Sequence, residues 1–330
     1  MSKNLKVFNV VVLVVVLAAV SAMADTATGS FERTLKVSGK ADVSVETGSG
    51  SIVVKAGETS DVHIYAKIRA RDSNGSWSGG GLSAEEKVKR LEANPPIRQE
   101  GNRIIIGKIE DRDLRNNVSI SYEINVPAET QLVSHTGSGE QKIYGIEGPV
   151  EAETGSGGMT IHHIGGNLKA ETGSGDVDIE AIKGKLIVKT GSGHVKAFGV
   201  NGSFDGETGS GGIEMEQSGN GDVTAHSGSG DLRLRNVRGG MKATTGSGDI
   251  EAAGELLNGW RLHTGSGSVS VRLPQNANFE LDASTGSGGV NTSHPVTIQG
   301  SMNRHRMQGK VGNGGPMLSV ETGSGTIHID

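Results

Sequence analysis

From about residue 132 onward, apolar and polar positions alternate in short runs that restart after each Thr-Gly-Ser-Gly. After the TGSG that begins at Thr172, apolar side chains stand at Val177, Ile179, Ile182, Leu186 and Val188, with Gly184 between the two runs. The same columns hold Met159, Ile161, Ile164, Leu168 and Ala170 one stretch earlier, and Leu232, Leu234, Val237, Met241 and Ala243 further on. Alternation with period two marks strands with one buried face. Helices are excluded, because apolar residues never recur at i, i+3, i+4 and i+7 and glycines break every run.

The repeat is long-range as well as local. Copies begin at Thr47, Thr136, Thr154, Thr172, Thr190, Thr208, Ser227, Thr245, Thr264, Thr285 and Thr322. From Thr136 to Thr208 every step is 18 residues; the following steps are 19, 18, 19 and 21, and the last is 37. That last step reads as two periods with one degenerate corner. A sandwich of hairpins has no reason to keep column identities over so many copies. A solenoid does, since each residue stacks on its equivalent one coil away. The expected fold is therefore all-β: a single-chain β-solenoid (β-helix) of about 18-residue coils, each giving two or three short strands to parallel sheets. Counted from Thr136 to Thr285 in chain order, eight steps give a shaft of about 38 Å at ~4.8 Å per coil.

A solenoid must protect its ladder ends. Residues 25–130 have the character of an N-terminal β cap, preceding a repeat region over 131–330. Val62, Ile64, Ala66 and Ile68 alternate, as do Val118, Ile120, Tyr122, Ile124 and Val126. Between them lies a Gly-rich loop, DSNGSWSGGG (72–81). Ser83-Ala84-Glu85-Glu86 is then a capping box that opens one short helix, stopped by Pro95 and Pro96. Near the other end, residues 293–317 break the rhythm and carry Arg304, His305 and Arg306, which read as a solvated basic loop.

The first 24 residues place Lys3 and Lys6 before an apolar run from Val10 to Val20 and an Ala22-Met23-Ala24 cleavage site, the layout of a secretory signal peptide. Export is the expectation, to periplasm, cell surface or medium, with no transmembrane segment after cleavage. With no cysteine, disulfides, lipid attachment and thiolate metal sites are ruled out. The net charge of −5, more negative once the two leader lysines are removed, and the absence of basic stripes argue against nucleic acid as partner.

The motif TGSG invites a catalytic reading that its context rejects. Strands flank it on both sides, whereas phosphate loops lead into helices. No fixed His and Asp accompany its serine. Thr154, Gly155 and Gly157, with Thr172, Gly173 and Gly175 and with Thr190, Gly191 and Gly193, are read instead as structural corners, where glycine is expected to supply positive φ. A calcium ladder is also rejected, because the column after GSG is mixed, from Asp176 to His194 to Gly212. His162 and His163 are adjacent in a strand and cannot chelate one ion together. Trp77 lies in the Gly-rich loop, and Trp260 falls in a core column. No catalytic, cofactor or metal residue emerges. The candidate binding feature is the column before each Thr, which includes Glu153, Glu171, Lys189, Glu207, His226 and His263. If Thr points inward, this column forms an outward polar ribbon, suited to a cationic or sugar-like partner.

With these residues in hand, the chain resembles the adhesin-like family of bacterial β-strand-repeat domains, whose function is unknown. The resemblance rests on SYEINVPAETQLVSHTGSGEQKIYGIEG, the AETGSGDVDIEAIKG-type repeats and the ending GKVGNGGPMLSVETGSGTIHI, and covers about residues 34–330. It implies an exported envelope protein without enzymatic activity and supplies no site residues. Three functions are set against each other. The first is a non-enzymatic, adhesin-like scaffold with an envelope, matrix or glycan partner and open to self-association. The second is a polysaccharide-binding or polysaccharide-active β-helix protein. The third is an ice-binding solenoid, which needs two outward Thr per coil. The first is preferred, because 18-residue repeats leave no room for the long loops of a catalytic cleft.

Overall fold

The computed structural model describes residues 26–58, 60–72, 82–298 and 303–330. The leader and most of the Gly-rich loop, Trp77 included, lie outside the described residues. Among the described residues the strands form two sheets of 14 and 15, so the solenoid is two-sided in section. Within one coil, Leu168–Thr172 lies in one sheet and Val177–Ile182 in the other. Neighbouring coils pair in parallel and in register: Leu168 on Leu186, Ala170 on Val188, Thr172 on Thr190. Alternate side chains of both sheets point into a continuous core of Val, Ile, Leu, Ala and Met. Trp260 is buried in its column, and its indole N–H donates to the Gly239 carbonyl at 3.0 Å.

The corner threonine is the joint between coils. Thr172 is buried; its hydroxyl donates to Gly157 O of the preceding coil (3.0 Å) and accepts from Gly175 N of its own (3.1 Å). Gly175 O in turn accepts from the Thr190 hydroxyl (3.0 Å), and the pattern continues. All eleven corner hydroxyls donate to a backbone carbonyl, ten of them to one of the adjoining coil. Ser227 does so as well as any threonine (2.8 Å). At the first coil the acceptor is Ile120 O, 2.7 Å from Thr47 Oγ1, so a cap strand stands in for a missing corner.

The expected reason for the glycines needs correction. None of Gly155, Gly157, Gly173, Gly175, Gly191 or Gly193 has positive φ. They are glycine because coils approach too closely for a side chain: a Cβ on Gly175 would stand 1.9 Å from Gly157 O, and one on Gly173 would stand 2.3 Å from Gly155 O. Left-handed backbone lies elsewhere, at Gly145, His163, Ala181, Gly199 and Asn236, with φ between 57° and 76°. These share one column, inside the second strand or, for Gly145, just past its end. Each inserts an extra residue that resets the alternation, which is why Ile179 is followed by Ile182 rather than by an apolar residue two positions on. It also turns His163 outward, away from the half-buried His162.

Spatial order departs from chain order at both ends. Ala41–Thr47 and Ile52–Gly57, inside the segment with cap character, stack directly on the coil of Thr136. At the far end no corner is degenerate. Met317–Ser324 slides between two coils that are consecutive in sequence, pairing with Trp260–Ser266 on one side and Phe279–Ser287 on the other. The excursion at 293–317 lets the chain cross back. The corners therefore stack as Thr47, Thr136 through Thr264, Thr322, then Thr285. These ten steps make the shaft about 48 Å long, at ~4.8 Å each.

The ends are closed as edge protection requires. Val118–Pro127 pairs in parallel with Ile52–Gly57 of the first coil, and Asp61–Arg71 and Thr26–Lys36 extend that sheet beyond it as antiparallel strands. The helix Ala84–Ala93 packs on these last two, with Val88 and Leu91 buried. Its capping box is complete: Ser83 Oγ accepts from Glu86 N and Glu86 Oε2 accepts from Ser83 N. A second helical turn, Arg112–Arg115, was not evident from the sequence. At the opposite end, the carbonyls of Arg304 and His305 accept from Val290 N and Thr285 N, so the basic loop covers the last ladder edge.

Two expectations follow. Replacing Thr172 with Val keeps shape but strands a buried N–H and C=O, and should lower stability by about 1–3 kcal/mol, while Thr172→Ser should stay within about 1 kcal/mol. Urea denaturation with hydrogen exchange at the Gly175 amide checks this; equal behaviour of the two variants would refute the ladder. Gly175→Ala should cost about 3 kcal/mol or more by forcing coils apart. By contrast Gly158→Asp should be tolerated, since a Cβ there meets nothing closer than 3.4 Å and Asp176 occupies the same column.

Candidate functional site: an outward ribbon beside the corners

Inward threonine forces its predecessor outward, and the parallel register turns that sequence column into a line. Glu46, His135, Glu153, Glu171, Lys189, Glu207, His226, Thr244, His263, Glu321 and Ser284 stack in this order. The six residues singled out from the sequence thus share one face, with Glu153 to His226 consecutive at about 4.8 Å per coil. His263 stands two coils beyond His226, past Thr244.

Charges along this line partly pair with one another. His135 Nδ1 lies 3.1 Å from a Glu153 carboxylate oxygen, and Lys189 Nζ lies 3.0 Å from Glu207. Lys169, two residues before Glu171 on the same strand, reaches both Glu171 (3.4 Å) and Glu151 (2.8 Å). His263 approaches Glu321 at 3.6 Å. His226 is exposed and makes no ion pair among the described residues. The hydrogen bond that Lys189 donates to Glu207 raises its ammonium above the ordinary value, and the one that Lys169 donates to Glu151 does the same for Lys169. Lys169 conversely holds the Glu151 carboxyl below its usual range. Exposed pairs like these contribute little to stability, so the line is not required by the fold.

Beside the ribbon the corners leave a shallow groove of about 710 Å³. It is lined by Glu153, Glu171, Lys189, Glu207 and His226 together with the Thr-Gly pairs from Thr154–Gly155 to Thr208–Gly209. The glycines keep the groove free of side chains, so its floor is peptide backbone and its rim is charged. Toward the cap it leads to a second, more enclosed cavity of about 530 Å³ that shares Glu153 and Gly155 and adds Arg115 and Tyr122. Sequence reasoning missed this cavity, because Arg115 and Tyr122 belong to the cap and meet the ribbon only through the stacking of Ala41–Thr47 on the next coil.

The column after GSG has a structural use. Asp176 Oδ1 accepts from His194 N (2.8 Å), His194 Nδ1 from Gly212 N (3.0 Å), and Asp249 Oδ1 from Ser268 N (2.8 Å). Each side chain satisfies the peptide of the next coil, which explains why acceptors of different chemistry interchange there. Among the described residues no three His, Asp or Glu gather as metal ligands, and no helix is long and apolar enough to cross a membrane.

No curated protein matches the chain. Three solved structures align with 92% of it: one bearing a cell-adhesion name from Clostridium sporogenes (14% identity, 99% of that chain, TM-score 0.25), and two bearing adhesin names. Of these two, that from Bacteroides fragilis is 14% identical over 97% of its chain with TM-score 0.29, and that from Parabacteroides distasonis is 12% identical over 97% with TM-score 0.38. The model of the Toastrack DUF4097 family, a domain of unknown function, matches residues 36–330, the whole of the solenoid and nearly all of its cap, and the chain belongs to that family.

Proposed function

We propose that the protein is an exported, non-enzymatic, adhesin-like scaffold of the bacterial envelope that holds an extended polymer along its ribbon. Residues 1–24 serve as the export signal, 25–130 as the cap region together with the first coil at 41–57, and 131–330 as the rest of the repeat shaft. The observation that carries the reading is the registered line of polar side chains beside a groove floored by backbone. A site repeated at each coil suits a ligand that itself repeats, and many weak contacts then add along its length. Five carboxylates (Glu46, Glu153, Glu171, Glu207 and Glu321) against one lysine give the line an acidic bias. That bias favours an amine-bearing glycan over an anionic one.

The mature chain should bind chitosan hexamer at least roughly tenfold more tightly than chitosan dimer, each factor of ten being about 1.4 kcal/mol. Combining Glu153→Lys, Glu171→Lys and Glu207→Lys should abolish the difference without lowering the melting temperature by more than a few degrees. Isothermal titration with both oligomers, and with a neutral chitin hexamer as control, decides the matter. Affinity independent of length, or unaffected by the triple variant, would remove the ribbon from consideration.

A further inference from the structure

The cavity at the cap end of the groove differs in kind from the shaft. It is formed where Gly107, Ile109, Arg115 and Val118 of the cap meet the first three coils. Gly107 has φ +91°, and a Cβ there would stand 1.8 Å from Glu46 O, so the wall closes only because no side chain is present. Tyr122 forms part of the lining and is fully buried. Its hydroxyl, 3.3 Å from where that Cβ would be, has no hydrogen-bond partner among the described residues. Burial, reinforced by the nearby Glu46 charge, pushes the phenol pKa well up, so the group stays a proton donor.

Two exposed charged groups line the same cavity. Glu46 and Arg115 make no ion pair among the described residues, whereas Glu153 is engaged by His135. One carboxylate, one guanidinium and one buried hydroxyl donor therefore remain, against apolar walls from Ile109, Val118 and Ile120. A volume of about 530 Å³ lies within the range of small-ligand sites, roughly 300–1,000 Å³.

We propose that this cavity binds a small zwitterion of amino-acid or dipeptide size, its ammonium on Glu46, its carboxylate on Arg115 and an acceptor oxygen on the Tyr122 hydroxyl. A purely anionic ligand would leave Glu46 opposed by like charge, and a purely cationic one would leave Arg115 unpaired. The site goes beyond the polymer groove and uses Glu46, Arg115 and Tyr122, which the groove variants Glu171→Lys and Glu207→Lys leave untouched.

The test is isothermal titration of the mature chain with the twenty amino acids and with Gly-Gly and Ala-Ala. The best binder is then compared with its N-acetyl and C-amide forms. The expected result is saturable binding by at least one zwitterion, with both blocked forms weaker by about tenfold or more. Tyr122→Phe should weaken binding by roughly tenfold while leaving the melting temperature unchanged or higher, because it removes an orphaned buried hydroxyl. Arg115→Ala, at an exposed position, should abolish binding without unfolding the chain. The proposal is overturned if no probe binds at 10 mM (about −2.7 kcal/mol), if a blocked form binds as well as its parent, or if neither variant changes the affinity. The polymer variants Glu171→Lys and Glu207→Lys should leave zwitterion binding intact, so failure of one site is separable from failure of the other.

Discussion

One hydroxyl per coil ties the shaft together. Because the corner threonine donates to the coil on one side and, through most of the shaft, accepts from its own corner glycine, it satisfies two backbone groups in a place where water does not reach. Buried backbone groups left unpaired are costly, so a sharp corner in a stacked fold needs such a group at every level. The flanking glycines answer the second half of the same constraint. They let the carbonyl come close enough to accept, at distances where any Cβ would collide with backbone.

The outward side follows from the inward one. Once threonine is buried, the preceding side chain must face solvent, and the glycines must leave a floor without side chains. The groove and its charged rim are thus by-products of how the corners are made, with the residue type at each level free to vary. Glu, Lys, His, Thr and Ser occur in that column because no packing requirement selects among them. Free variation on a fixed frame is what allows a scaffold to be adapted to a partner.

The ends show how a repeat stops. Ile120 O replaces the missing corner below the first coil, and the loop carbonyls at 304 and 305 cap the last. The inserted coil of Met317–Ser324 belongs to the same economy of edges. By pairing on both sides it places the C-terminal segment inside the ladder, where fraying requires breaking two sets of hydrogen bonds.

The period of TGSG and the two-residue alternation determined a good deal by themselves: parallel coils, inward Thr, the core columns and the outward ribbon. All of these follow from local geometry repeated at constant spacing. Ser83 to Glu86 likewise announced a helix start, because a capping box is a local device. Tertiary structure alone decided the rest. The corner glycines were legible as corners but not for the right reason, since the atom they avoid lies 18 residues away. The order of coils at the C-terminus was hidden because strand pairing depends on which edges are free once the chain has turned back, and spacing cannot reveal that. Tyr122, Arg115 and Glu46 carried no shared signal in the sequence, and they form one cavity only because the cap strand docks beneath the first coil.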